Sequence, residues 1–237
     1  EIIAAYIEGT KEPARFARAL RAAARAKPVI LLKGGVTKAG TGAVASHTGA
    51  LAGSRMVWDA LCRQTGVIRV QHFDELFDTL AAFVYLKPPR GRRVGIVGVG
   101  GGASVLAADE CENAGLEVPV LPDRIRRELL QYTPTMGVGL RNPLDLDTDG
   151  FLNAELAART VRTMSEWEGV DFLILAILPG ILTAHAHVKV LAGHVEALAK
   201  VARDVGKPML VVLRTGGVAK SEEAAQGMQA EFQKAGF

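Results

Sequence analysis

The sequence predicts an α/β protein in which two doubly wound parallel-sheet domains follow one another along the chain. Short aliphatic runs alternate with amphipathic stretches of about 10–15 residues, the pattern of strands joined by crossover helices. The 237 residues are 49% hydrophobic but only 5% aromatic, and 26 of them are glycine, which is typical of buried parallel strands. The pattern stops at Pro88-Pro89 and then restarts, which indicates a domain boundary.

The first predicted domain comprises residues 1–88. Its elements, in order, are strand Ile2–Ile7, helix Arg15–Ala26, strand Val29–Leu32, a small-residue loop Thr37–His47, helix Thr48–Thr65, strand Val67–Val70 and helix Phe73–Tyr85. Lys27-Pro28 ends the first helix, because the residue before a proline avoids helical geometry. A buried strand rarely opens a domain, so we expect further residues upstream.

The second predicted domain comprises residues 91–237. Its elements are strand Val94–Val99, helix Ala103–Ala114, a strand around Val118, helix Glu155–Ser165, strand Phe172–Leu178, helix Lys189–Val205 and strand Met209–Leu213. An internal similarity between Lys27–Val36 and Lys207–Val218 supports two related domains, although any strand–helix unit can share such a pattern. A further strand is expected beyond Phe237.

Composition narrows the function classes. The formal net charge is +3, but the basic residues alternate with apolar ones and no aromatic stacking set accompanies them, so nucleic-acid binding is not favoured. No apolar run approaches the roughly 20 residues that span a membrane. Cys62 and Cys111 have no CxxC partner, which predicts reduced, buried thiols in a cytoplasmic protein.

His47 is the sharpest chemical feature of the first domain. It ends a loop of small residues after a strand, at the edge where open α/β sheets bind ligands. An isolated histidine at a helix start is commonly a cap or a surface residue. The small neighbours Ser46, Thr48 and Gly49 leave room for a phosphate to approach the ring, which favours a chemical role and makes them candidate loop supports.

Glu8 is the candidate partner of His47. A phosphorylated imidazole needs one ring nitrogen to attack phosphorus while an acceptor, usually a carboxylate, holds the other. Glu8 directly follows the first strand, so it is expected at the same sheet edge as His47. The spacing is equally compatible with a solvated loop glutamate.

The glycine-rich turn after strand Val94–Val99 is the candidate phosphate site. Gly100, Gly101, Gly102 and Ala103 open a predicted helix, whose N–H groups and dipole favour an anion. The dinucleotide fingerprint is incomplete, and no acidic residue ends a second strand about 20 residues later. Generic anion binding is therefore favoured over NAD.

The remaining candidates are weaker. His185, His187 and His194 lack a cysteine or carboxylate at matching spacing, and the first two would point apart on a helix, so no metal site is predicted. Asp145 follows a turn at Asn142-Pro143, where it could face a ligand or cap the region that begins at Asp147.

These segments, in this order, resemble the NDP-forming (ADP-forming) acyl-CoA synthetases, the acetate–CoA ligases related to succinyl-CoA synthetase. Ser46–Gly53 looks like the family's phosphohistidine loop, and Tyr6–Gly9 resembles the segment with its partner glutamate. Gly100–Ala103 followed by Leu106–Asp109 is similar to the glycine turn and helix that hold the phosphate, and Asn142–Leu146 is similar to a further family segment.

The resemblance implies two flavodoxin-like (succinyl-CoA synthetase-like) domains and the reaction acyl-CoA + ADP + phosphate ⇌ carboxylic acid + CoA + ATP, through an acyl phosphate and phospho-His47 carried on a moving loop. It implies that CoA, ADP or ATP and Mg²⁺ bind mainly to domains outside this chain. The partners would be a CoA-binding Rossmann domain upstream, an ATP-grasp domain or subunit, a small carboxylic acid or acyl-CoA substrate, and further copies in an oligomer. We expect the chain not to turn over alone.

Two alternatives belong to other classes. Similar modules fused to protein lysine acetyltransferases act as regulatory ligand sensors, but these often lack the histidine, so His47 and Glu8 favour the enzyme. A non-catalytic flavodoxin-like binding module would predict no effect of removing His47. The acyl group and the choice between ADP and GDP stay open.

Overall fold

The computed structural model describes residues 2–48, 53–98, 100–133, 140–180, 188–215, 217 and 219–237. The chain divides into two compact units, Glu1–Tyr85 and Leu86–Phe237. Each unit contains a parallel sheet with helices, so the predicted α/β class is confirmed.

The first unit contains a three-stranded parallel sheet in the order β1-β2-β3. Its elements are β1 (Ile3–Ile7), α1 (Pro13–Ala26), β2 (Val29–Lys33), α2 (Lys38–Thr48), α3 (Arg55–Thr65), β3 (Ile68–Val70) and α4 (Phe73–Tyr85). The central strand β2 is buried along its whole length, and Ile7 of β1 pairs with Lys33 of β2. The two strands therefore end side by side.

Alternate residues of β2 build the two cores of this unit. Leu31 packs with Trp58 and other residues under α1 and α3, whereas Ile30 packs with Leu76 under α4. Apolar side chains on both faces explain why the strand reads as a continuous aliphatic run instead of alternating with polar residues.

The second unit contains a four-stranded parallel sheet in the order β5-β4-β6-β7. Its elements are β4 (Val94–Gly98), α5 (Gly101–Asn113), α6 (Asp123–Leu130), β5 (Leu144–Asp145), α7 (Thr148–Leu152), α8 (Ala154–Glu166), β6 (Phe172–Ile177), α9 (Val188–Val205), β7 (Met209–Leu213) and α10 (Ala219–Lys234). Helix α8 buries Ala157, Val161 and Met164 in the main core of this unit.

A charged pair fixes the start of the sheet in the second unit. Asp171 accepts hydrogen bonds from the backbone N–H of Arg93 (2.9 Å), from its Nε (3.1 Å) and from its Nη2 (2.7 Å). The Arg93 side chain, and then its backbone N–H, hold the pKa of Asp171 below its usual range. These contacts join the residues that precede β4 and β6.

An asparagine side chain fixes the approach to β5. Asn142 Oδ1 accepts the backbone N–H of Ile96 (2.9 Å), and its Nδ2 donates to the carbonyl oxygens of Val94 (2.8 Å) and Pro119 (3.1 Å). The Asn142–Pro143 peptide bond is cis. The amide group thereby satisfies backbone groups of the neighbouring strand β4 and sets where β5 begins.

Three local predictions are wrong. The segment Thr37–His47 is not a loop, because Lys38–Thr48 form α2: the Thr37 hydroxyl oxygen accepts the N–H of Gly40 at 3.1 Å, and alanines favour the helix. The predicted helix Thr48–Thr65 is shorter, since α3 begins only after its cap Ser54. No strand forms around Val118, and Glu117 makes only one isolated bridge there. The reason is that the nearby prolines cannot donate hydrogen bonds to a neighbouring strand.

The other predicted elements agree with the structure to within about two residues, a normal margin for element ends. Val99, predicted to end β4, lies outside the described residues. Cys62 and Cys111 are free and buried, as expected, and burial raises the pKa of each thiol. Among the described residues, no helix has the length and apolarity needed to cross a membrane.

Candidate functional site

The structure brings His47 and Glu8 together at the edge where β1 and β2 end. His47 lies in the last turn of α2, and Glu8 directly follows β1. The ring Nδ1 of His47 is 3.5 Å from Glu8 Oε2. The His47 side chain is 77% exposed and that of Glu8 is 22% exposed. The imidazole is therefore open to an incoming group while one of its nitrogens faces a carboxylate.

Tyr6 engages the other oxygen of the same carboxylate. Its hydroxyl donates to Glu8 Oε1 at 3.1 Å. Desolvation raises the pKa of Tyr6, and the hydrogen bond and negative charge of Glu8 raise it further, so the phenol stays protonated and able to donate. Both oxygens of Glu8 thus have a partner, one in Tyr6 and one in His47.

The residues predicted to support the histidine have different settings. The Ser46 hydroxyl donates to the carbonyl oxygen of Ala43, one turn earlier in α2, at 2.8 Å. Thr48 ends α2, and Gly49 lies outside the described residues. Of Ser46, Thr48 and Gly49, Ser46 is thus the residue with a described side-chain contact, and this contact lies within α2.

The glycine turn of the second unit links β4 to α5. Gly98 ends β4 where a Cβ would lie 2.8 Å from the carbonyl oxygen of Ala176, which is too close for any other residue to fit without a shift. Gly100 caps α5 with φ +95°, a backbone conformation that favours glycine. Steric demands therefore explain at least two of the glycines without reference to a ligand.

Asp145 occupies part of the predicted phosphate site. Its Oδ1 accepts the N–H of Gly100 at 2.8 Å, so this residue, whose role the sequence left open, caps the glycine turn. Gly101, Gly102 and Ala103 form the first turn of α5, whose N–H groups have no acceptor within the helix. These three amides, and not that of Gly100, are the donors that the turn can offer to an anion.

Arg214 brings positive charge to the same turn. It follows β7, and its Nη1 donates to the carbonyl oxygen of Ala103 at 3.5 Å. Arg214 was not predicted from the sequence as a site residue, although its position after an aliphatic strand, like that of Glu8, was a usable signal. The turn thus combines helix amides with a guanidinium, both favourable to a phosphate.

The histidines considered for metal binding do not form a described site. His185 and His187 lie outside the described residues. His194 is buried and stacks on Phe151, with 6.0 Å between ring centroids. In the part of the chain that the structure describes, no three histidine, cysteine, aspartate or glutamate residues are grouped to hold a metal ion.

Comparison with known families assigns both units. Residues 1–83 match the family described as the succinyl-CoA ligase like flavodoxin domain. Residues 94–234 match the Ligase-CoA domain. The resemblance drawn from the sequence motifs is thereby confirmed.

The curated relatives include ADP-forming ligases. The acetate–CoA ligase [ADP-forming] II subunit alpha of Pyrococcus furiosus is 34% identical over 227 residues, which cover 94% of this chain and 47% of the relative. The 4-hydroxybutyrate–CoA ligase [ADP-forming] of Nitrosopumilus maritimus is 34% identical over 155 residues, covering 65% of this chain and 22% of the relative. The chain spans about half the length of the Pyrococcus subunit.

Solved structures share the fold of the whole chain. The dinucleotide forming acetyl-coenzyme A synthetase 1 of Candidatus Korarchaeum cryptofilum, in complex with phosphate and ADP, aligns with a TM-score of 0.76 at 22% identity, covering 99% of this chain and 53% of that one. A Pyrococcus horikoshii protein aligns with a TM-score of 0.73 at 27% identity, covering 98% and 47%.

Proposed function

The chain belongs to the ADP-forming acyl-CoA ligase family, and from this premise we propose that it is part of an enzyme that interconverts acyl-CoA, ADP and phosphate with a carboxylic acid, CoA and ATP. His47 is the phosphoryl carrier and Glu8 its partner. The observation that carries this proposal is the 3.5 Å approach of His47 Nδ1 to Glu8 Oε2 on an exposed ring. The alternative of an acetyltransferase regulatory module finds no support among the matched relatives.

The geometry supports a different role for each ring nitrogen of His47. With Nδ1 facing the carboxylate, Nε2 is free to act as the nucleophile. Its lone pair attacks the phosphorus of an acyl phosphate, the bond from phosphorus to the acyl oxygen breaks, and the carboxylic acid leaves as its anion. Glu8 stabilises the positive charge that the phosphorylated ring carries. Attack by the terminal phosphate oxygen of ADP on phospho-His47 then gives ATP and restores the neutral ring.

The glycine turn of the second unit is a proposed phosphate-binding site. The amides of Gly101, Gly102 and Ala103 offer hydrogen bonds at the positive end of α5, and Arg214 adds a full charge beside them. Asp145 accepts the N–H of Gly100, so it shapes the turn without donating to the ligand.

The rest of the machinery is proposed to lie in other domains or subunits. CoA would bind to a Rossmann domain upstream, and ADP or ATP with Mg²⁺ to an ATP-grasp domain or subunit. The complete enzyme would be a cytoplasmic oligomer that acts on a small carboxylic acid or its acyl-CoA. Support comes from the relatives: two Pyrococcus furiosus matches are alpha subunits, and a protein of the same fold was solved with phosphate and ADP. This chain would then supply the carrier and would not turn over alone.

Phosphoryl transfer from ATP tests the proposal. The complete protein, together with its nucleotide-binding partner, is incubated with ATP labelled at the γ-phosphate and Mg²⁺. We expect acid-labile, base-stable label that disappears in His47→Ala and forms more slowly in Glu8→Gln. His72→Ala is the matched control, because exposed His72 also faces a glutamate, with 3.7 Å from its Nδ1 to Glu75 Oε2, but lies at the start of α4.

Three results would count against this function. Label that persists in His47→Ala would place the carrier elsewhere. Loss of label in His72→Ala as well would show that the effect is not specific to one histidine. Absence of label in the wild type, despite bound nucleotide, would leave only the non-catalytic binding module.

A further inference from the structure

Glu8 is held at two points other than His47. Its side-chain Oε1 accepts the Tyr6 hydroxyl at 3.1 Å, and its main-chain carbonyl oxygen accepts Lys33 Nζ at 2.7 Å. We propose that Tyr6 and Lys33 are positioning residues that keep Oε2 of Glu8 directed at Nδ1 of His47. The inference rests on the proposed role of His47 and adds two residues to that site.

Lys33 holds the two strand exits together. Its Nζ donates both to the carbonyl oxygen of Glu8, beyond β1, and to that of Gly34, beyond β2. These residues follow neighbouring parallel strands, so one ammonium group fixes the spacing between the segment with Glu8 and the segment that leads into α2. Because α2 carries His47 in its last turn, this spacing contributes to the distance between the two catalytic groups.

The burial of Lys33 indicates that the hydrogen bonds of its ammonium group offset the cost of removing it from water. The residue is 4% exposed, and no other lysine, arginine, aspartate or glutamate is buried among the residues that the structure describes. Burying an ammonium group is costly unless its protons find acceptors. The rest of β2 is aliphatic, and a leucine would fill this position without that cost. The ammonium also lies 5.1 Å from the centre of the Trp58 ring, a further favourable contact.

Tyr6 has its hydroxyl placed by its surroundings. A Cβ at Gly34 would lie 2.5 Å from the Tyr6 hydroxyl oxygen, so the absence of a side chain there gives the hydroxyl its space. The ring contacts Phe73, with 5.7 Å between centroids. Tyr6 is nevertheless 51% exposed, so removing its hydroxyl leaves the apolar core unchanged. The hydroxyl has a defined acceptor in Glu8, and its contribution is separable from folding.

The inference is tested in the complete protein with its nucleotide-binding partner. We compare Tyr6→Phe and Lys33→Met with Lys33→Arg, which keeps a cationic donor, and with Tyr85→Phe, which removes the hydroxyl of an exposed tyrosine elsewhere in the unit. Rapid quench measures the rate of phosphohistidine formation. Loss of one hydrogen bond to the carboxylate is expected to slow it about threefold to tenfold in Tyr6→Phe, with the KM for ATP unchanged. Lys33→Met should slow it similarly, and Lys33→Arg should recover part of the rate.

A second readout does not require turnover. In ¹⁵N-histidine NMR spectra, the His47 signals, assigned by their loss in His47→Ala, should show a proton on Nδ1 in the wild type and a mixture of tautomers in Tyr6→Phe. A rate and a ¹⁵N shift in Tyr6→Phe equal to those of the wild type would overturn the inference while leaving phospho-His47 intact. Absence of wild-type phosphohistidine would instead refute the proposed function, and the ¹⁵N shifts would still decide the positioning role. If Lys33→Met fails to fold by circular dichroism, Tyr6→Phe decides.

Discussion

Replacing Gly98 with alanine should destabilise the second unit at the point where β4 enters the glycine turn. A Cβ at this position would lie 2.8 Å from the carbonyl oxygen of Ala176 and 3.1 Å from its Cβ. Gly98 pairs with Ala176 on β6 and with Asp145 on β5, so the ladder on both sides resists the shift that would relieve the contact.

The size of the effect follows from two opposing terms. Overpacking in a rigid setting costs about 1–3 kcal/mol. Replacing glycine by alanine also lowers the entropy of the unfolded chain, which returns about 0.4–1 kcal/mol. Taking the middle of each range, the net loss for Gly98→Ala is about 1.3 kcal/mol, equivalent to a fall in Tm of about 3–5 °C for a domain of this size.

Gly95→Ala is the matched control three residues earlier in the same strand. The three atoms nearest to its Cβ would all belong to side chains, with Val170 Cγ1 at 3.3 Å and Met164 Cε at 3.5 Å the closest, and a methionine adapts readily. We expect its stability to stay within about 0.5 kcal/mol of the wild type, because the entropy term offsets mild crowding. Denaturant unfolding gives the free energies, and hydrogen–deuterium exchange of peptides from β4 and β6 localises the change.

The steric reasoning would be refuted if Gly98→Ala were as stable as the wild type with unchanged exchange in β4 and β6. It would also fail if Gly95→Ala were the more destabilised of the two variants. In either case the glycine at the end of β4 would be there for a reason other than its contact with the neighbouring strand.

Two further predictions concern charged groups of the same unit. Asp171→Asn should lower the Tm at neutral pH. Because Arg93 lowers the pKa of Asp171 in the folded state, the Tm difference between the wild type and this variant should be complete above about pH 4 and disappear as the pH falls further. Equal Tm differences at pH 7 and pH 3 would contradict this. Asp145→Ala should raise the KM for phosphate about threefold to tenfold, because one hydrogen bond to Gly100 is lost. Asp145→Asn keeps an acceptor oxygen and should leave this KM unchanged. Steady-state kinetics at varied phosphate measures both variants, and equal KM values for the two would refute the capping role.

Elements with strong periodicity were predicted well from the sequence. The bounds of α4, Phe73–Tyr85, and of β7, Met209–Leu213, agree with the structure because their apolar positions have clear spacing and clear stops. Helix α2 was missed because small residues carry no amphipathic signal, and its start depends on a cap by Thr37. Helix α6, Asp123–Leu130, was not predicted, although Ile125 and Leu129 have helical spacing.

The candidate site was predictable where topology alone decides it. Glu8 and His47 follow neighbouring parallel strands, so a shared sheet edge could be expected without coordinates. The contacts of Tyr6, Lys33 and Asp145 could not, because they depend on side-chain direction and on a backbone carbonyl or amide that no spacing rule identifies. Lys33 at the end of an aliphatic strand was the available signal, since a buried lysine needs an explanation.

The position of His47 in the last turn of α2 has a consequence for the energy of the phosphorylated state. The carbonyl groups at the C-terminal end of a helix carry partial negative charge, which favours a cationic imidazole. A phosphoryl group on that ring would instead place a dianion beside these carbonyl groups and near Glu8. The helix end would therefore repel the phosphoryl group while it attracts the cationic ring. In the proposed cycle, this repulsion would favour transfer of the phosphoryl group to ADP. The partial charges at the end of α2 would thus help to return His47 to its unphosphorylated form.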